Sequence, residues 1–193
     1  MGSRTIAEPE LTNPDRQVLL ALARRAIAAS LAGEPAPAVP DVPGARLKRG
    51  AFVTLEERRD GALRGCIGRV TGDRALGEVV RTVAVSAALE DPRFPAVEPS
   101  ELPQLRIEIS VLGTPVPFDP ARPDGGGLVV GRDGLLVRRG DALGVLLPQV
   151  ATEHGLDPAA FLSAACRKAG LGPQAWREPG TQVSTFEADV FGE

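Results

Sequence analysis

Leu105-Arg106-Ile107-Glu108-Ile109-Ser110-Val111 is the stretch from which the fold is read. Apolar Leu105, Ile107, Ile109 and Val111 alternate with Arg106, Glu108 and Ser110, the two-residue period of a strand with one face buried. On its N-terminal side, Ala51 to Glu56 alternates in the same way, Asp60-Gly61 is a turn signal, and Ala62 to Ile67 returns as a hairpin partner. On its C-terminal side, Leu128 to Val130, Gly134 to Val137 and Leu143 to Leu147 read as short strands turned by Asp133-Gly134 and Gly140-Asp141. Val183 to Phe191 reads as the last strand, with Phe186, Ala188 and Val190 on one face.

Helical spacing appears between these strands. Leu11, Val18, Leu22 and Ala26, joined by Leu19, Ala23 and Ile27, line one face of a helix. Asn13 is its expected cap, Pro14 its first helical residue and Gly33 its stop. Four prolines between Glu34 and Gly44 make a semi-extended connector. Asp73 is expected to cap a helix that runs to about Glu90 and buries Leu76, Val79, Val80, Val83 and Ala87. Asp91-Pro92-Arg93-Phe94-Pro95 breaks it. Pro115 to Gly127 is a loop. Pro148 opens a short helix ending at Gly155, and Asp157 caps another that stops at Gly170. Strands and helices mix without a βαβ rhythm, which predicts an α+β fold: a mixed, largely antiparallel sheet flanked by helices.

The chain has 193 residues, enough for one large domain or one domain with a smaller lobe. Apolar residues are 43% and charged residues 24%, ordinary globular usage. A formal charge of −3, with no basic cluster longer than a pair, argues against nucleic acid as a partner. The N-terminus lacks a continuous apolar core of a signal peptide, and no apolar stretch approaches a membrane span. Two cysteines do not make a disulfide framework. The expected location is cytoplasmic.

Chemistry concentrates in Arg64-Gly65-Cys66-Ile67-Gly68. Glycines on both sides of a cysteine permit positive φ and close approach of another group. Consecutive N–H groups in such a turn form an anion nest. A guanidinium nearby, here Arg64, holds anions and favours the thiolate. Two readings stand: an oxyanion site with a nucleophile, or a buried structural cysteine in a tight hairpin. His154 is the only histidine and the standard candidate base for a cysteine enzyme, but it sits at a helix end where the dipole favours it without any function. Glu108 lies on the polar face of its strand and is a second candidate for proton transfer. Asp91 and Arg93 form a rigid loop in which the arginine pairs with a carboxylate. Gln149 follows Pro148 at a helix start suited to orient anions. No metal-ligand spacing or nucleotide fingerprint occurs, so neither metal nor cofactor is expected. Cys166, among Phe161, Leu162 and Ala165, reads as core.

The order of the segments carries more than any one of them. Leu63-Arg64-Gly65-Cys66-Ile67-Gly68 precedes Asp91-Pro92-Arg93-Phe94-Pro95, then Ile107-Glu108-Ile109-Ser110-Val111-Leu112 and Leu146-Leu147-Pro148-Gln149-Val150. Phe161-Leu162, Cys166-Arg167-Lys168-Ala169-Gly170-Leu171, Trp176 and Phe186-Glu187-Ala188 follow. From about Pro14 to the end, this string resembles the AMMECR domain family, the A component of the AmmeMemoRadiSam system. The resemblance implies a domain over 13–193, behind a flexible arm at 1–12. It implies a larger and a smaller lobe with a cleft between them, and a signature at Leu63 to Gly68; within that segment Gly65, Ile67 and Gly68 are expected to join Arg64 in ligand binding. It also implies two partners, a Memo-like protein and a radical S-adenosylmethionine protein. In one respect the sequence departs from the family: Arg132-Asp133 stand where a histidine often precedes Gly-Leu. The resemblance supplies a place rather than a reaction. The expected function is a cysteine-dependent enzyme of that modification system acting on an anionic small molecule or peptide; the alternative is a non-catalytic ligand- or partner-binding module.

Overall fold

A computed structural model describes residues 10–120 and 127–193. Its Cα atoms group into two compact units, Met1–Ser110 with Val190–Glu193 and Val111–Asp189. The chain leaves the first unit within one strand and re-enters it within the last. The architecture is α+β, as the sequence predicts.

The first unit begins with α1 (Asn13–Leu31) and a single turn, α2 (Pro43–Arg46). Thr12, not Asn13, caps α1: its hydroxyl accepts from the Asp15 N–H while the Asp15 carboxylate accepts from the Thr12 N–H. This reciprocal pairing satisfies two of the donors that a helix start leaves open. Asp15 is buried because it also receives the Gly44 N–H at 3.0 Å. Leu11 and Thr12 therefore belong to the folded unit, while residues 1–9 of the expected arm lie outside the described residues.

β1 (Ala51–Glu57) and β2 (Leu63–Arg69) form the expected antiparallel hairpin. Its turn uses Gly61 at φ +73°, where a side chain would be strained. α3 (Leu76–Leu89) packs against α1 and one hairpin face, and buries Leu76, Val79, Val80, Val83 and Ala87; Ala51, Val53 and Leu55 are the buried residues of β1. Burying each Leu or Val contributes about 1.5–3 kcal/mol. Asp73 does not cap α3. Its carboxylate is taken by Arg69 and the Thr71 hydroxyl, and Ala75 begins the helix without a side-chain cap. β3 (Leu105–Leu112) has the expected alternation, with Ile107 and Ile109 wholly buried.

The second unit contains β4 (Val116–Phe118), β5 (Asp133–Arg139), β6 (Ala142–Leu146), α4 (Pro148–Glu153) and α5 (Pro158–Lys168). It also holds most of β7 (Gln182–Gly192). β7 pairs antiparallel with β4 and β5, and β5 with β6. Leu135, Val137, Phe161, Leu162, Ala165, Cys166 and Val183 form its core. Asp157 caps α5 by accepting from Ala160 N–H. Three sequence expectations fail here: Pro115 to Gly127 is not all loop, since Val116–Phe118 pairs with β7 as β4. Leu128 to Val130 is not a strand, and Asp133-Gly134 is not a turn. The Asp133 carboxylate accepts the Val129 N–H at 2.7 Å and its own N–H returns to the Val129 carbonyl, closing a tight loop ahead of β5. Gly125-Gly126 lie outside the described residues. Among the described residues, no helix is long and apolar enough to cross a membrane.

Candidate active site on the β1–β2 hairpin

Alternation divides the hairpin into two faces. Val53, Leu55 and Gly65 point to α3, whereas Phe52, Thr54, Cys66 and Gly68 occupy the other face and are half-buried. The register changes between Leu55 and Glu56. Leu55 pairs with Gly65 but Glu56 pairs with Leu63, so Arg64 is the extra residue of a bulge. Bulges re-aim side chains. Here the Arg64 guanidinium grips both oxygens of Glu101 at 3.0 and 3.2 Å and donates to the Pro95 carbonyl at 2.9 Å. Glu101 is held below its ordinary pKa, first by Arg64 and then by the Glu98 N–H. Arg64 thus binds an internal carboxylate and ties β2 to the loop after α3.

The glycines serve close approach, not positive φ. A Cβ on Gly65 would sit 2.1 Å from the Ala87 carbonyl oxygen of α3, and one on Gly68 would sit 2.2 Å from the Phe52 ring. Neither glycine has positive φ. The segment is strand, so the expected anion nest is absent. The Cys66 N–H goes instead to Asp91 Oδ2 at 2.8 Å.

That bond joins Cys66 to the loop that ends α3. The Asp91 side chain is only 2% exposed and accepts from Arg93 Nε at 2.9 Å, Arg93 Nη2 at 2.7 Å and the Arg93 N–H at 3.1 Å. Arg93 Nη2 also reaches the Cys66 carbonyl at 3.2 Å. The guanidinium lowers the Asp91 pKa well below the carboxylate range, against the opposing effect of burial. Arg93 is pushed the other way, chiefly by Asp91 and to a smaller extent by the Cys66 sulfur. The loop therefore pins both backbone groups of Cys66 while leaving the Arg93 side chain 52% exposed beside it.

Across the hairpin, Thr54 faces Cys66, and its hydroxyl donates to Sγ at 3.3 Å. On the other side of β1, the Arg58 N–H bonds to the Gln104 carbonyl and Arg106 is ion-paired with Glu56. Both contacts share one antiparallel register, which sets Glu108 across from Thr54. Glu108 is half-buried and adds to the field that raises the Arg106 pKa, behind the dominant Glu56 hydrogen bond. Cys66, Thr54 and Glu108 thus form a row across three neighbouring strands. Adjacent strands lie about 4.8 Å apart, so the outer two are near 10 Å from one another, with Thr54 on the strand between them.

The first unit therefore brings Cys66, Asp91 and Arg93 together, with Arg64, Gly65, Ile67 and Gly68 framing them and Glu108 two strands away. Gln149 and His154 belong to the second unit: Gln149 is half-buried in the first turn of α4, and His154 is the exposed residue that ends it. Thr54 and Glu101 were not singled out from the sequence. Thr54 could have been found by counting back across the Asp60-Gly61 turn, had the bulge been known. Among the described residues, no group of three or more His, Cys, Asp or Glu is placed to hold a metal ion.

The AMMECR1 family model matches residues 20–191. The chain belongs to the AMMECR1 family. It is 45% identical to a protein of Methanothermobacter thermautotrophicus over 95% of this chain and 96% of that one. It is 43% identical to Protein MK0488 of Methanopyrus kandleri over 95% and 91%. The crystal structure of the uncharacterized protein PH0010 from Pyrococcus horikoshii is similar, with TM-score 0.83 and 42% identity over 91% of this chain and 89% of that one. In this AMMECR1 protein the Leu63 to Gly68 segment lies in a strand whose half-buried face, the one turned away from α3, bears the Cys66 thiol. The Arg132-Asp133 pair, where the resemblance leads one to look for a histidine, shapes the backbone instead. Arg132 grips Asp133 at 2.7 and 3.0 Å, and Asp133 closes the Val129 loop.

Proposed function

We propose that this AMMECR1 protein is a cysteine-dependent enzyme acting on an anionic small molecule or peptide, within a modification system that includes a Memo-like protein and a radical S-adenosylmethionine protein. One observation carries the reading: Cys66 is half-buried, its sulfur hydrogen-bonded to a hydroxyl at 3.3 Å, with a half-exposed guanidinium beside the residue. In the step envisaged, the Thr54 hydroxyl turns its proton from Sγ toward Glu108, and the Cys66 proton then passes to Thr54 Oγ1 as the Thr54 proton passes to the Glu108 carboxylate. The sulfur lone pair then bonds an electrophilic carbon of the substrate, and the bond to the leaving group breaks. The leaving group takes back the proton from Glu108. Arg93 orients the anionic end of the substrate by charge-assisted hydrogen bonds. The partner assignment rests on the family resemblance alone.

The alternative, a binding module, draws on a different observation: Asp91 and Arg93 hold the N–H and C=O of Cys66, an arrangement that serves a rigid scaffold equally well. Alkylation of Cys66 by iodoacetamide, followed from pH 5 to 10 in wild type, Thr54→Val and Glu108→Gln, separates the two. The enzyme reading expects a thiolate population that both substitutions diminish. A titration curve untouched by either substitution defeats the relay. Partner capture that survives Cys66→Ala but not Arg93→Ala supports the module.

A further inference from the structure

Among the described strands, β2 pairs with β1 only, so its other edge is open to a further strand. In an antiparallel pair, successive residues turn their N–H and C=O alternately toward the partner and away from it. Cys66 turns both away from β1, since they bond to Asp91 and Arg93. Gly68, two residues on, therefore turns its N–H and C=O off the same edge. β1 agrees with this parity: the Arg58 N–H, in step with Thr54 and Phe52, bonds away from β2, to the Gln104 carbonyl. Gly68 is half-buried, and among the described residues neither of its groups has a partner.

Arg93 brings a second set of unused donors. Its Nε and Nη2 serve Asp91 and the Cys66 carbonyl, whereas Nη1 has no partner among the described residues. The side chain is 52% exposed and anchored at the Cys66 carbonyl, so it stands where the open edge begins. Along that edge the order is guanidinium, Gly68 N–H, Gly68 C=O: donors first, then an acceptor.

We infer that this edge binds the C-terminal residue of an extended peptide. Laid antiparallel to β2, that residue donates its N–H to the Gly68 carbonyl. Its carboxylate accepts from the Gly68 N–H with one oxygen and from Arg93 Nη1 with the other. An N-acylated α-amino carboxylate carries these groups in this order, and strand addition and carboxylate capture are both established ways to hold a peptide. An internal residue would satisfy Gly68 but leave the guanidinium without the charge-assisted bond that favours a chain end. Opposed residues of a pair share a face, so the side chain of the bound residue lies on the face that carries Cys66. The assignment rests on the reading above, in which Arg93 takes the anionic end of the substrate, and it names that end.

The test titrates tetra-alanine, labelled at its N-terminus with fluorescein, into the full chain and follows anisotropy. Saturable binding is expected, and the bound peptide slows alkylation of Cys66 by iodoacetamide. Replacing the peptide carboxylate by an amide weakens binding about tenfold or more, and methylating the last peptide nitrogen weakens it about fivefold, the losses of a charge-assisted and a neutral hydrogen bond. Both changes are in the peptide, so the fold is untouched. Absence of saturable binding, equal affinity for the amide, or Cys66 alkylation unchanged at saturation overturns the inference. Displacement by N-acetylalanine at the same concentration as by unlabelled tetra-alanine also overturns it, because the site then takes free acylated amino acids. A thiol titration untouched by Thr54→Val and Glu108→Gln, with the peptide still bound and shielding Cys66, upholds this site and defeats only the relay.

Discussion

Replacing Asp91 by alanine removes one buried carboxylate that serves four donors. The Cys66 N–H is left behind, and an unpaired buried donor costs about 1–3 kcal/mol. The bonds to Arg93 are charge-assisted, and breaking a buried pair costs about 3–5 kcal/mol in general. Arg93 is half-exposed and regains water, so that figure is an upper bound here. The expected loss is about 2–4 kcal/mol, or roughly 5–15 °C in Tm for a chain of this size. Urea unfolding followed by far-UV circular dichroism measures it, with Trp176 fluorescence reporting separately on the second unit. Acid supplies the second arm. Because the folded Asp91 pKa is depressed by Arg93, its stabilisation is present above the unfolded value of 3.8 and is lost as pH falls through the folded value. The gap between wild type and Asp91→Ala is therefore full above about pH 5 and narrows below pH 4. A variant within about 0.5 kcal/mol of wild type at neutral pH, the range of ordinary surface substitutions, would refute this account. So would a gap that acid leaves unchanged.

The two glycines beside Cys66 should respond unequally. Gly65→Ala drives a Cβ into the Ala87 carbonyl, which α3 cannot withdraw, and costs about 1–3 kcal/mol or more; Gly68→Ala meets only the Phe52 ring, which can swing away, and costs less by urea unfolding. In the native protein, Ellman's reagent should modify one thiol quickly, that of Cys66. Cys166 is fully buried and its thiol pKa is raised by burial, so it should react only on unfolding. Thr12→Ala removes half of the reciprocal cap of α1 and should cost about 1 kcal/mol, read as a lowered urea midpoint with an unchanged slope.

Elements with one-sided burial were legible. Leu105 to Val111, the Ala51 hairpin and the helices over Leu76 to Leu89 and Pro158 to Lys168 all carry a period that burial imposes directly. Caps were less so, because Asn13 and Thr12 have similar propensity and only the Asp15 side chain selects between them. The strand expected at Leu128 to Val130 failed for a related reason: a single carboxylate, Asp133, outweighs the β propensity of three residues. At the site, Cys66, Asp91 and Arg93 could be named from the sequence, since each is chemically distinctive. The role of Arg64 could not, because its partner Glu101 is distant in sequence. Thr54 was invisible, since a threonine in a strand is ordinary until its opposite number is known.

The surplus residue at Arg64 has an arithmetic consequence. Between the Asp60-Gly61 turn and the bulge, the hairpin pairs Glu56 with Leu63; carried onward unbroken, that count would set Cys66 opposite Val53 and Gly65 opposite Thr54. Every side chain of a strand changes sides when its count shifts by one. The sulfur would then lie in the helix-packed interior, and the glycine that α3 needs for clearance would look outward. The parity of this one short strand sets whether the molecule presents a thiol to its surroundings or seals it within.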